Sequence, residues 1–240
     1  MMTKTTTFLL AAALVAPALG AIPAVAADLM AAPAAAAPAA PAAASTTLGF
    51  EISPEFIAAP NADPNDITDG YVKGTITEAV APGWSISGIG QYTLKGLKPG
   101  SASQTWQGQV EVNAAYTAKL NDDFSVTVTG GLGYAFGNTG YNAANLPSGA
   151  GTQPFFYWYG QAAFDYKLDS HWTLNLVSVR ARDSFTVAWW TPKIQTGVTY
   201  NIDATDAVYG NVGYAWKDNT GGYAFTPDKW NTAVGYKHSF

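Results

Sequence analysis

The chain has 240 residues, 12% of them charged, with 17 acidic against 12 basic side chains, two histidines and no cysteine. An acidic balance without a polybasic run excludes the electrostatic footprint of a nucleic-acid binder, and the lack of cysteine excludes disulfide staples and thiolate metal sites. No apolar run after the leader approaches the ~20 residues of a membrane helix, so a membrane crossing would have to use strands.

Residues 1–26 read as an export signal. Lys4 precedes the apolar run FLLAAALVAPALG, and Ala24 and Ala26 make a small-x-small cleavage site, with a cut after Ala27 serving equally well. Pro17, Gly20 and Pro23 break the run too early for a transmembrane anchor. Residues 27–45 are dominated by alanine and proline (MAAPAAAAPAAPAAAS), which cannot bury a core and form an extended periplasmic tether. An exposed Ala27-Asp28 terminus on that tether would suit contact with peptidoglycan.

Folded material is expected over 46–240. The alternation of apolar and polar residues predicts ten strands: 46–57, 70–80, 84–96, 104–119, 124–136, 154–168, 172–182, 188–201, 207–217 and 229–240. Even numbers carry the apolar set. The third strand sets Trp84, Ile86, Tyr92 and Leu94 against Ser85, Ser87, Gln91 and Lys95; the fourth sets Trp106, Val110, Val112 and Tyr116 against Gln107, Gln109, Glu111 and Asn113. Period two places each set on one face of a sheet. In the seventh strand the parity inverts, so a bulge near Leu176–Val177 is predicted.

A soluble sandwich also alternates. Two features favour a transmembrane antiparallel up-and-down barrel of ten strands, with eight or twelve as alternatives. Rings sit at both ends of the apolar face, Trp84, Phe124 and Trp172 at one end and Trp106, Trp158, Trp216 and Trp230 at the other, as bilayer interfaces select. The connections also alternate, with short turns after the even strands and mostly longer loops after the odd ones. Three turns repeat each other: YTAKLNDDFSVTV, YKLDSHWTLNL and YNIDATDAVYGNV.

The closing segment WNTAVGYKHSF resembles the C-terminal assembly signal of bacterial outer-membrane proteins, on Gly235, Tyr236 and Phe240. His238 departs from the pattern, which usually has another aromatic there. The leader also resembles the start of small alphaproteobacterial outer-membrane proteins. The resemblance implies a small porin-like barrel in the outer membrane of a Gram-negative bacterium, in contact with the lipid bilayer and lipopolysaccharide and recognised by the outer-membrane insertion machinery. It implies no subfamily.

The chemistry of the site is sought on the inward face. Omptin-like proteases, also ten-stranded, need acidic residues and a histidine at the outer mouth; His171 and His238 both fall at the periplasmic end. His238 and Ser239 are adjacent on a strand and point to opposite faces, so they cannot act together. No enzyme, cofactor or metal site is expected, and Asp63, Asp66 and Asp69 read as a solvated acidic loop. The alternation places Lys73, Lys95, Arg180, Arg182, Lys193 and Lys217 inward at the outer mouth, with Glu55 the one acidic strand residue beside them. Glu51, Glu111 and Asp165 fall lower, with Lys119, Lys167 and Lys237, and Glu51 is expected to meet Lys237 at the closure seam.

A basic mouth draws small anions; its alternative is neutralisation by Asp183 and Asp218. Small inward residues, among them Gly131, Gly133, Gly197, Gly213 and Gly235, leave room for water threads, whereas Tyr157, Tyr159, Tyr209 or an inward-folding 137–153 loop would plug the lumen. The expected function is a narrow, porin-like passive channel for small hydrophilic, preferentially anionic solutes. The rival is a closed structural barrel for envelope integrity or surface interaction, tethered towards peptidoglycan.

Overall fold

A computed structural model describes residues 45–58, 67–97, 105–137, 154–218 and 220–240. Ten antiparallel strands follow one another: β1 (Thr46–Ile57), β2 (Ile67–Ala81), β3 (Trp84–Lys95), β4 (Thr105–Lys119), β5 (Phe124–Gly137), β6 (Phe155–Lys167), β7 (Trp172–Ser184), β8 (Lys193–Asn201), β9 (Asp206–Lys217) and β10 (Thr226–Ser239). Each pairs with its neighbours in sequence, and β1 pairs with β10 to close the cylinder. All ten predicted strands are present.

Three boundaries differ from expectation by three residues or more. β2 starts at Ile67 and β10 at Thr226, which brings Asp69 and Asp228 into the wall. β10 tolerates Pro227 because its register shifts between Pro227 and Lys229, releasing the missing N–H from the ladder. β8 starts at Lys193 rather than 188: Pro192 precedes it without a donor, and the segment 185–192 leaves the regular ladder, keeping one isolated bridge between Trp190 and Asp218.

The predicted bulge lies where parity required it. Asn175 pairs with Gly197 and Ser178 with Gln195, so Leu176 and Val177 together face Thr196. Thr196 Oγ1 donates to the Asn175 carbonyl at 2.8 Å, taking up a group the bulge leaves off the ladder. Beyond it Ser178, Arg180 and Arg182 point into the barrel.

Accessibility is inverted relative to a soluble protein. Val112, Leu132 and Val234 are about two-thirds exposed, while Glu51 and Asn113 are 4% and 3% exposed. Burial of apolar surface against water therefore cannot hold this exterior; a hydrocarbon medium can. Closure satisfies the edge strands, which is what a membrane demands. Two aromatic girdles frame the belt. Trp84–Tyr116, Phe124–Tyr166 and Trp172–Tyr200 pack together at the turn end, and Phe56–Trp230, Tyr92–Trp106, Tyr134–Phe156 and Tyr214–Trp216 at the other.

The stagger of the sheet sets the heights of the lumen residues. Following the register from Glu51 through β2 to β6 reaches Phe155; following it through β10 to β6 reaches Lys167, a difference of 12 residues. The strands are tilted by that shear, and directly paired residues are not at equal height.

The three repeated turns have one geometry. In each, a side-chain oxygen accepts from the N–H groups two and three residues on: Asn121 from Asp123 and Phe124, Asp169 from His171 and Trp172, Asp203 from Thr205 and Asp206. The fourth turn, β2–β3, instead uses Pro82 and Gly83, whose φ of 74° supplies the left-handed position.

These bonds hold the Asp169 carboxyl below the ordinary aspartate range, chiefly through the Trp172 and His171 N–H groups; Asp203 is lowered in the same way by Thr205 and Asp206. A depressed folded pKa adds stability that is present above the unfolded value near 4 and is lost as pH falls through the folded one. The expected result is an acid-side titration of the amide shifts of Trp172 and Thr205, with midpoints below that of free aspartate. The β4–β5 turn is capped by the uncharged Asn121 instead, so no capping carboxylate titrates there. Amide NMR of the barrel in micelles reads all three turns at once.

Candidate functional site: the charged lumen

The inward faces enclose a cavity of about 770 Å³, and all six predicted basic residues line it. They do not form one ring. Allowing for about 1.2 residues of stagger per strand, Glu51, Lys73, Glu111, Arg180 and Lys193 share a middle level. Lys95 and Lys217 lie nearer the mouth, with Glu55, Asp69, Asp228 and Lys229. Asp165 sits towards the periplasmic turns, where its Oδ1 accepts from Asn175 Nδ2 at 2.9 Å. Strand-end counting placed Lys73 at the mouth and Glu51 and Glu111 below it because alternation carries no information on shear.

The mouth is charge-matched. Lys229 Nζ reaches Glu55 Oε2 and Asp69 Oδ2, both at 2.8 Å, and Lys217 Nζ lies 3.3 Å from Asp228 Oδ1. Glu55 is therefore not alone, and the sequence reading missed Lys229, Asp69 and Asp228 as lumen groups. Asp63 and Asp66 lie outside the described residues. The carboxylates suggested as neutralisers have other work: Asp183 Oδ1 accepts from the Ser184 and Trp189 N–H groups, and Asp218 from Thr220 and Ala224.

The middle level is matched on one side only. Glu51 pairs with Lys73 at 2.7 Å and accepts from Tyr71 OH at 2.8 Å, so its expected partnership with Lys237 is not the one formed. Register decides this: Glu51 faces Lys73 on β2 and Gly235 on β10, while Lys237 lies 4.9 Å from the Tyr209 ring centre. Glu111 accepts from Tyr157 OH at 2.8 Å and lies 3.6 Å from Arg182 NH1. Arg182 also donates to Gln109 Oε1 at 3.1 Å.

On β7 and β8 the situation differs. Arg180 and Lys193 face each other across the ladder. Among the described residues neither has a carboxylate within 4.0 Å. Lys193 is 9% exposed, and Arg180 Nε is buried without a hydrogen-bond partner. Among the described residues eight basic and six acidic side chains line the cavity, a surplus of two cations inside a chain whose net charge is −5.

The inward glycines are not free space. A side chain from the neighbouring strand lies over each: Asn113 over Gly131, Tyr157 over Gly133, Asn211 over Gly197, Lys193 over Gly213 and Tyr209 over Gly235. Large and small residues alternate across the ladder so that the wall packs onto itself, and what stays open is the axial cavity. The Tyr209–Gly235 pair also accounts for the glycine of the closing segment.

The segment before β8 adds an aromatic to the cavity wall. In segment 185–192 Trp189 lines the cavity and packs on Phe155 and Tyr157 at 5.0 and 4.8 Å between ring centres. The Arg182 guanidinium lies 4.8 Å from the Trp189 ring centre. Asp183 and Ser184 cap the loop, Ser184 Oγ accepting from the Thr186 and Val187 N–H groups. The 137–153 loop lies outside the described residues apart from Gly137.

At the turn end, His238 Nδ1 and Tyr236 OH both bind Asp206 Oδ1 on the outer side, whereas Ser239 Oγ lies 2.9 Å from Thr47 Oγ1 inside, opposite faces as expected. Phe240 N donates to the Thr46 carbonyl at 2.9 Å. His171 stacks near Tyr200 at 5.9 Å in its turn.

No family model and no curated protein matches the chain. Solved structures do. An outer-membrane channel from Pseudomonas putida F1 has a TM-score of 0.50 at 10% identity, covering 84% of this chain and 97% of that one. The β domain of the Bordetella autotransporter BrkA gives 0.49 at 12%, covering 83% and 100%, and the KdgM porin 0.42 at 14%, covering 81% and 99%. Likeness at such identities speaks to architecture. The chain has the fold of outer-membrane β-barrels.

Proposed function

We propose that this chain is an integral outer-membrane protein that passes small hydrophilic solutes passively through its lumen, with a preference for anions. The apolar belt between two aromatic girdles supports the location. The surplus of two cations, concentrated where Arg180 faces Lys193 without a carboxylate, supports the preference. A unit charge about 4 Å from an ion is worth ~1 kcal/mol in water and ~4 kcal/mol at an effective dielectric of 20. Even the lower figure, attracting an anion and repelling a cation by ~1 kcal/mol each, separates the two by ~2 kcal/mol, or roughly thirtyfold.

The test is the zero-current potential of the full chain in planar bilayers under a KCl gradient. The expected sign is that of a chloride-selective pore, moving towards zero in the double variant Arg180→Ala with Lys193→Ala. The Trp189 loop favours the rival reading, a closed structural barrel, and that reading predicts silence through repeated insertions.

A further inference from the structure

Resting on that reading of a hydrated lumen, we infer that the β7–β9 wall holds a discrete binding site for one small polyhydroxylated carboxylate. Its anchor is the Arg180–Lys193 pair, two inward cations opposed in the register and lacking carboxylate partners among the described residues. Both side chains line the cavity, and a planar carboxylate offers the geometry that a guanidinium fork prefers.

The pair is held in place rather than swinging in solvent. Lys193 lies across Gly213, where a Cβ would collide with its Cε. That glycine is a slot for the lysine stem and fixes where its ammonium stands. Arg180 is flanked on its other side by Gln161, its register partner on β6.

Around the cations the wall offers uncharged hydrogen-bonding groups. Gln195, one inward step from Lys193 on β8, has no side-chain hydrogen bond among the described residues, nor has the Asn211 amide on β9; both line the cavity. A carboxamide presents donors and an acceptor together, the pairing that a hydroxyl needs. Two bare amides beside two bare cations therefore match an anionic head with a hydroxylated body. Chloride alone uses only the first half of that surface.

The site and the selective field make different predictions. Arg180→Lys keeps the charge but loses the fork, and Gly213→Val keeps both charges while displacing Lys193. The experiment is calorimetric titration of the full chain in detergent with gluconate, acetate and sorbitol, which does not depend on conduction. Saturable gluconate binding, tighter than acetate, absent for sorbitol and weakened about tenfold in both variants, is the expected result. No gluconate binding overturns the site, as does equal binding of acetate or sorbitol, or undiminished binding by Arg180→Lys. A silent bilayer with intact gluconate binding would overturn the channel and leave the site standing; a selective current without gluconate binding would do the reverse.

Discussion

Trp189→Ala raises the single-channel conductance and lowers the stability of the barrel at the same time. Trp189 is 8% exposed, lies against Phe155, Tyr157 and the Arg182 guanidinium, and lines the cavity. Large-to-small changes at packed aromatics cost ~3–5 kcal/mol. The lower end, about 3 kcal/mol, is expected here, since part of the vacated volume opens to the cavity and fills with water. The same widening enlarges the conducting cross-section. A stability loss with unchanged current would mean that Trp189 packs the wall without narrowing the path. Urea unfolding in lipid vesicles and conductance in planar bilayers read the two effects separately.

Glu111→Ala is the second large effect, and its pairing with Glu111→Gln separates charge from structure. Glu111 accepts from the buried Tyr157 hydroxyl and lies beside Arg182, whose side chain is 12% exposed. Removing one member of a buried pair leaves an uncompensated charge and costs ~3–5 kcal/mol. Arg182 keeps Gln109 and the Trp189 face, so about 3 kcal/mol is expected for alanine. Glutamine retains an acceptor for Tyr157 and should cost about half of that. Both variants raise the cation surplus of the lumen from two to three. The zero-current potential should therefore move further to the chloride side by the same amount in each, although their unfolding midpoints differ.

Much of the architecture was legible because a membrane barrel imposes one rule on every strand. Even-numbered Val110, Val112 and Ala114 face outward and odd-numbered Gln109, Glu111 and Asn113 inward, and the single parity break at Leu176–Val177 announced its bulge. The repeated turns were legible as well, since Asn121, Asp169 and Asp203 each supply one side-chain oxygen to the same two N–H positions. The heights of charges were not. Lys73 lies near the start of the second predicted strand, yet it meets Glu51 at mid-barrel, because β2 starts at Ile67 and its register sets Lys73 directly opposite Glu51. Trp189 was hidden for a different reason. An aromatic between alternating residues looks like part of a strand, and only the donorless Pro192 and the capping pair Asp183–Ser184 mark the departure. The inward glycines were read as space; whether a glycine is empty depends on the residue across the ladder, as Tyr157 over Gly133 illustrates.

The account depends on which face of each strand meets water, and the absence of native cysteine makes that directly measurable. Single cysteines at 109 to 114 in the full chain, reconstituted in vesicles, can be challenged with a small charged thiol reagent that does not enter hydrocarbon. Labelling at 109, 111 and 113 with protection at 110, 112 and 114 is the predicted outcome. Reaction at the even positions would contradict a lipid-facing exterior, and protection at all six would contradict a wet interior.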